Sequence, residues 1–279
     1  MRFFFLILSV VGTINCFGQK DQPQILLTKG QKISIKTFST QEADMGMGME
    51  MKNNTSSQNS IVVIDAVANN YKVSNTLTGL KVTIDAMGQQ TTYDSDLKED
   101  SASEIGKSLK NLNVPDTLMV NKFNGVIPEE KKVADTSKED PSNPLQGLFE
   151  SLGDQGTDMT LSDAFLIIPA GKKAGDAWMD SSFTKTQKTH RSYKIKSIEK
   201  NVATIIINGV VESTIETEAN GIPLTVAMTT KTETEVVSNS KTSLVSKRST
   251  KADITGNLEM MGQSLPVSGK ANTTSVYEY

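Results

Sequence analysis

The chain has 279 residues, of which 37% are hydrophobic and 22% charged, with a formal net charge of −3. That apolar content suits a packed domain and excludes a disordered or fibrous chain, and the mildly acidic balance excludes the basic footprint that nucleic acid demands. Aromatic residues reach only 5%, with one tryptophan, which argues against an aromatic-lined sugar cleft served by paired carboxylates.

In chain order, Met1 and Arg2 precede an apolar run over residues 3–11 that has the length of a secretory leader and is too short to span a bilayer as a helix. Cleavage after Gly18 would place the small residues Cys16 and Gly18 at the positions that signal peptidase inspects, and residues 19–279 would form a single β domain. The alternative is a lipoprotein anchored at Cys16, but Asn15 stands where that signal wants a small residue. Without Cys16 the exported chain has no cysteine, so it is expected in a bacterial envelope, periplasmic or extracellular, stabilised by its core alone. No later segment is apolar for long enough to cross a membrane as a helix.

Alternating and β-branched runs then predict strands at 25–28, 32–38, 60–65, 71–74 and 80–85, and again at 192–198, 203–208, 210–215, 224–237, 241–254 and 273–279. Gly-containing pairs at 87–88, 208–209, 220–221 and 261–262 read as tight reversals, so the sheet is expected to be antiparallel. Between about 101 and 165 the texture changes. A capping box at Ser101–Glu104 followed by Ile105, Leu109 and Leu112 predicts one short helix. Leu145, Leu148, Phe149 and Leu152 predict a second, across a charged loop carrying Pro141. The strands at about 24–95 and 175–279 thus flank a small helical and loop insertion.

Four methionines alternate at Met45, Met47, Met49 and Met51. In a strand they share one face. Core packing is the plainest reading; an adaptable lining for acyl chains is the sharper one, because thioethers conform to more than one apolar surface. Cu(I) binding is the third, with no His or Cys alongside to support it. His190 stands in a polar alternating strand, where exposure is the ordinary outcome. With one histidine and one cysteine in the chain, zinc chemistry has no ligand set; neither enzyme activity nor a cofactor is expected. Lys185, Lys188, Arg191, Lys194 and Lys196 form a basic band that reads first as the protection of a solvent-facing or edge strand and second as a surface for phosphate headgroups or a negatively charged partner. Trp178 is expected to anchor the core where insertion meets sheet.

Phe165, Pro169, Gly175, Asp176 and Trp178 open the second run of strands. With an export leader and a helical insertion between two β runs, this pattern resembles uncharacterised bacterial envelope families whose architecture is similar to the LolA, LolB and LppX half-barrels. The resemblance implies a curved sheet around apolar material and, by analogy with the better-known relatives, carriage of lipid or acyl chains. No binding residue carries over by position. The expectation is therefore a mainly β, LolA-like half-barrel that binds a lipid or another apolar small molecule on its concave face. A protein-interaction module with a self-filled core is the alternative.

Overall fold

The structure, a computed structural model, describes residues 22–44, 46, 50–86, 88–103, 105–106, 109, 112–127, 161–219, 222–260 and 262–279. Alternation over long stretches gives the chain its main feature, an open, curved antiparallel sheet of twelve strands. The N-terminal half supplies β1 (Lys32–Asp44), β2 (Glu50–Val67), β3 (Asn70–Ala86), β4 (Gln89–Asp94), β5 (Asp116–Asn121) and β6 (Gly125–Ile127). The C-terminal half supplies β7 (Ala177–Phe183), β8 (Gln187–Glu199), β9 (Val202–Ala219), β10 (Ile222–Asn239), β11 (Val245–Met260) and β12 (Gln263–Glu278). The order is β6-β5-β3-β2-β1-β12-β11-β10-β9-β8-β7, with β4 also on β3. The first and last strands therefore pair in the middle, from Ser34 opposite Glu278 to Asp44 opposite Ser268, and the two meanders spread outward from that seam.

Three of the expected reversals are two-residue connections: Ala86 pairs with Gln89, Ala219 with Ile222 and Met260 with Gln263. Gly88 and Gly262 take φ of +77° and +78°, the left-handed conformation such turns require. The fourth does not reverse. Gly209 lies inside β9, where an added Cβ would come within 2.6 Å of Thr232 Oγ1; the glycine makes room for a cross-strand neighbour rather than a turn.

The insertion also differs from expectation. Its described part holds a 3₁₀ turn at Lys98–Ala102, α-helical residues at Ile105 and Gly106 with a bond from Leu109 N–H to Ile105 O where the first short helix was expected, and then two strands that were not expected, β5 and β6, which extend the sheet. The helix expected at 144–152 lies outside the described residues. The stretch 25–28, expected as a strand, is instead extended chain laid against the sheet, with Ile25 and Leu27 buried.

One end of the concave face carries the core. Ile33, Ile35, Ile61, Val73, Ile195, Ile205 and Val236 are fully buried there, beneath two covering segments at 22–31 and 161–168. Main-chain bonds pin both covers: Ile25 N–H to Lys122 O, Leu26 N–H to Thr242 O, Leu166 N–H to Ser243 O and Val245 N–H to Ala164 O. Arg248 Nη2 meets Asp163 Oδ1 at 3.2 Å and ties the second cover to β11. Beyond the core the concave face turns polar. Thr37 pairs with Ser275 and Ser39 with Thr273, both at 2.9 Å, and Thr234 with Thr250 at 3.0 Å. These directly opposed hydroxyls satisfy one another across the strands, so the apolar lining is interrupted before it resumes near the tips at Met51 and Ile84.

Candidate functional site

The outermost strands β6 and β7 do not pair with each other, and the concave face opens between them. Period-2 alternation aims Trp178 and Asp180 of β7 to the same face, and register sets them opposite Tyr193 and Arg191 of β8. Trp178 and Tyr193 stack with centroids 4.8 Å apart and planes 6° from parallel. In the next row Tyr193 Oη donates to Asp180 Oδ2 at 2.6 Å, and Arg191 Nη1 lies 3.9 Å from Asp180 Oδ1. An aromatic tier thus sits below a charged tier.

Across the gap stand Phe123 and Val126 of the β5–β6 hairpin, whose turn is fixed by Asn121 Oδ1 accepting from the Phe123 and Asn124 N–H groups. Ile25 and the cover residues Phe165, Leu166 and Ile167 complete the walls. The open cleft holds about 350 Å³, at the small end of ligand sites, and its walls mix apolar side chains with polar ones such as Asn124, Ser162, Asp180 and Arg191. A second hollow of about 580 Å³ lies over β8 to β11, where the Thr184–Gln187 turn folds toward β9. Its lining, which includes Thr184, Lys185, Lys188, Glu212 and Asn257, is mostly polar, so it offers little gain to an apolar guest.

Burial, reinforced by the Asp180 carboxylate, pushes the Tyr193 phenol up to about 12; burial likewise lifts Tyr277 to about 12 and raises Tyr279. Each folded phenol holds its proton more tightly than the unfolded one does, so its stabilisation is complete below pH 10 and disappears as pH rises from 10 through 12. At full size this is about 2 to 3 kcal/mol for Tyr193 or Tyr277. Phenolate absorbance is therefore expected to show delayed titration of these tyrosines, coinciding with alkaline unfolding; their ionisation near pH 10 with the fold intact would contradict the packing.

Of the alternating methionines, Met51 is buried on the concave face of β2, opposite Ala43 and Ala86; Met45, Met47 and Met49 lie outside the described residues. Met51 is remote in register from the cleft, so the structure does not bring it to this site. His190 is exposed on the convex face, with Nδ1 2.9 Å from Ser181 Oγ and Phe183 edge-on at 5.4 Å. The basic band is solvent-exposed but not on an edge strand: it sits on and beside β8, to whose outer side β7 pairs, and its members diverge, Arg191 to Asp180 and Lys196 to Glu235. Among the described residues no three His, Cys, Asp or Glu side chains gather as a metal site, and no helix is long and apolar enough to cross a membrane.

Trp178 was legible as an anchor, while Tyr193, Asp180, Val126 and Phe123 were missed as its companions. The spacings Trp178-x-Asp180 and Arg191-x-Tyr193 carry the signal, but only once the register is known.

No curated protein matches the chain. Among solved structures it is similar to a lipovitellin chain, in a structure titled for its lipid–protein interactions, at 10% identity and TM-score 0.48, over 90% of this chain and 25% of that one. It thus spans a quarter of that protein's length. It is also similar to DynF from the dynemicin biosynthesis pathway of Micromonospora chersina, at 7% identity and TM-score 0.21 over 97% and 92% of the two chains. OccK5 of Pseudomonas aeruginosa aligns at 7% identity and TM-score 0.22, over 91% and 99%. From Ala68 at the end of β2 to Val245 at the start of β11, the sequence matches a family profile that takes in both sides of the cleft, and the chain belongs to the family of unknown function DUF6263.

Proposed function

We propose that this is an exported, non-enzymatic envelope protein that shelters the apolar part of a small amphiphile in the cleft between β6 and β7. The observation that carries the reading is the cleft itself, a gap of about 350 Å³ on the concave face in which Trp178, Val126 and Phe165 stand beside polar and charged groups, next to a packed core. Guest methylenes entering it would leave water at a gain of about 0.8 kcal/mol each before the costs of immobilisation, while Asp180 and Arg191 at the charged tier would face the polar end. The apolar run at 3–11 supports export, and burial of a lipid-like guest on a curved sheet is the LolA-like behaviour that the sequence resemblance implies.

One observation favours a second reading, an interaction module with a self-filled interior: the chain's own segments at 22–31 and 161–168 occupy most of the concave base. Protein purified from its native envelope separates the two. Mass spectrometry of an organic extract should find one amphiphile approaching equal molar amount with the protein; an extract free of any such compound would remove the carrier reading.

A further inference from the structure

Among the described residues no strand pairs with the outer edge of β7, and Asp180 on the concave side is its one charged residue. Its sequence, Ala177-Trp-Met-Asp-Ser-Ser-Phe183, holds no Lys, Arg or Pro, the residues with which exposed edges ordinarily discourage pairing. Met179 and Phe183, 81% and 64% exposed, are the two most exposed large hydrophobics among the described residues. They share the convex face with Ser181 between them.

The hydrogen bonding shows which main-chain groups are unpaired among the described residues. Thr184 N–H donates to Gln187 O and Ile195 N–H to Asp176 O, so the even-numbered residues of this stretch are turned toward β8. The N–H and C=O groups of Met179, Ser181 and Phe183 therefore point away from the sheet. The Ala177 carbonyl also points outward, where Lys172 Nζ donates to it at 2.7 Å.

We propose that β7 is a self-pairing edge, and that a second copy of this chain adds its own β7 antiparallel about a two-fold axis at Ser181. In that register Met179 lies opposite Phe183 of the second copy, twice, and Ser181 opposite Ser181. Three pairs of outward groups exchange two bonds each. Each methionine gains a sulfur–aromatic contact and each phenylalanine leaves water. On the concave side Asp180 faces Ser182 of the second copy, so no charges are opposed. The alternative registers are worse. An axis at Asp180 sets two carboxylates face to face, an axis at Met179 calls on the Ala177 carbonyl that Lys172 already engages, and an axis at Ser182 leaves only Ser181 and Phe183 to pair. This inference is independent of any ligand.

The test is the self-association of the full chain by analytical ultracentrifugation, with two substitutions. Ser181→Pro removes an N–H that points away from β8, so the fold tolerates it, and it should weaken association by about tenfold or more. In a Cys16→Ser background, Ser181→Cys should form a disulfide-linked dimer under air, since directly opposed residues bring their Cα atoms within disulfide range; Ser182→Cys, set opposite Asp180, should not. A chain that stays monomeric and uncross-linked at position 181, or a dimer indifferent to Ser181→Pro, would overturn the proposal.

Discussion

Ile35→Ala is expected to destabilise the chain by about 2 to 5 kcal/mol and to leave a single unfolding transition. Ile35 is fully buried on β1, opposite Tyr277 of β12 on one side and Asn59 of β2 on the other. The β1–β12 ladder is where the two meanders join in the sheet order, and covers from both halves cross the same core, so a cavity there weakens both at once. Phe38→Ala on the same strand is the control. Phe38 is 55% exposed on the opposite face, and its loss should change stability by no more than about 0.5 kcal/mol. Urea unfolding followed by circular dichroism and by Trp178 emission should give coincident curves for both variants. Separate transitions for the two probes would show that the halves fold apart.

Filling the cleft should abolish binding without unfolding the protein. Val126 projects from the three-residue strand β6 into the gap and packs only partly against the core. Val126→Phe would occupy space that a guest needs, at an overpacking cost below the usual 1 to 3 kcal/mol because the ring enters a void rather than a filled core. The variant purified in the same way should carry at least about tenfold less bound amphiphile. Retention of the full amount would move the site elsewhere on the concave face.

The long strands were legible because each alternates over a length that only a half-buried sheet satisfies, as in Lys32 to Phe38 and in the run up to Val237. Asp116 to Asn121 was not, since it falls within the stretch that the helical spacing of Ile105, Leu109 and Leu112 and the charged loop after it marked as a helical and loop insertion. Asn208-Gly209 has the composition of a turn but sits mid-strand, because what the position needs is space beside Thr232. Ile25 and Leu27 look like strand residues and are instead a cover, a tertiary role that no local pattern distinguishes. The four methionines looked like one face of a single strand, but β1 ends at Asp44 and β2 begins at Glu50 opposite it, so the run spans a chain reversal. The cleft escaped notice because it depends on which strands lie at the two edges, and strand order follows from the pairing of β1 with β12 across more than 200 residues.

Trp178 is the only tryptophan in the chain and forms part of the cleft wall, so its emission reports directly on occupancy. Titration of delipidated protein with decanol should shift that emission to shorter wavelength and saturate, and Val126→Phe should suppress the response. Emission that stays constant throughout the titration, with the fold intact by circular dichroism, would contradict the claim that this gap receives an apolar guest.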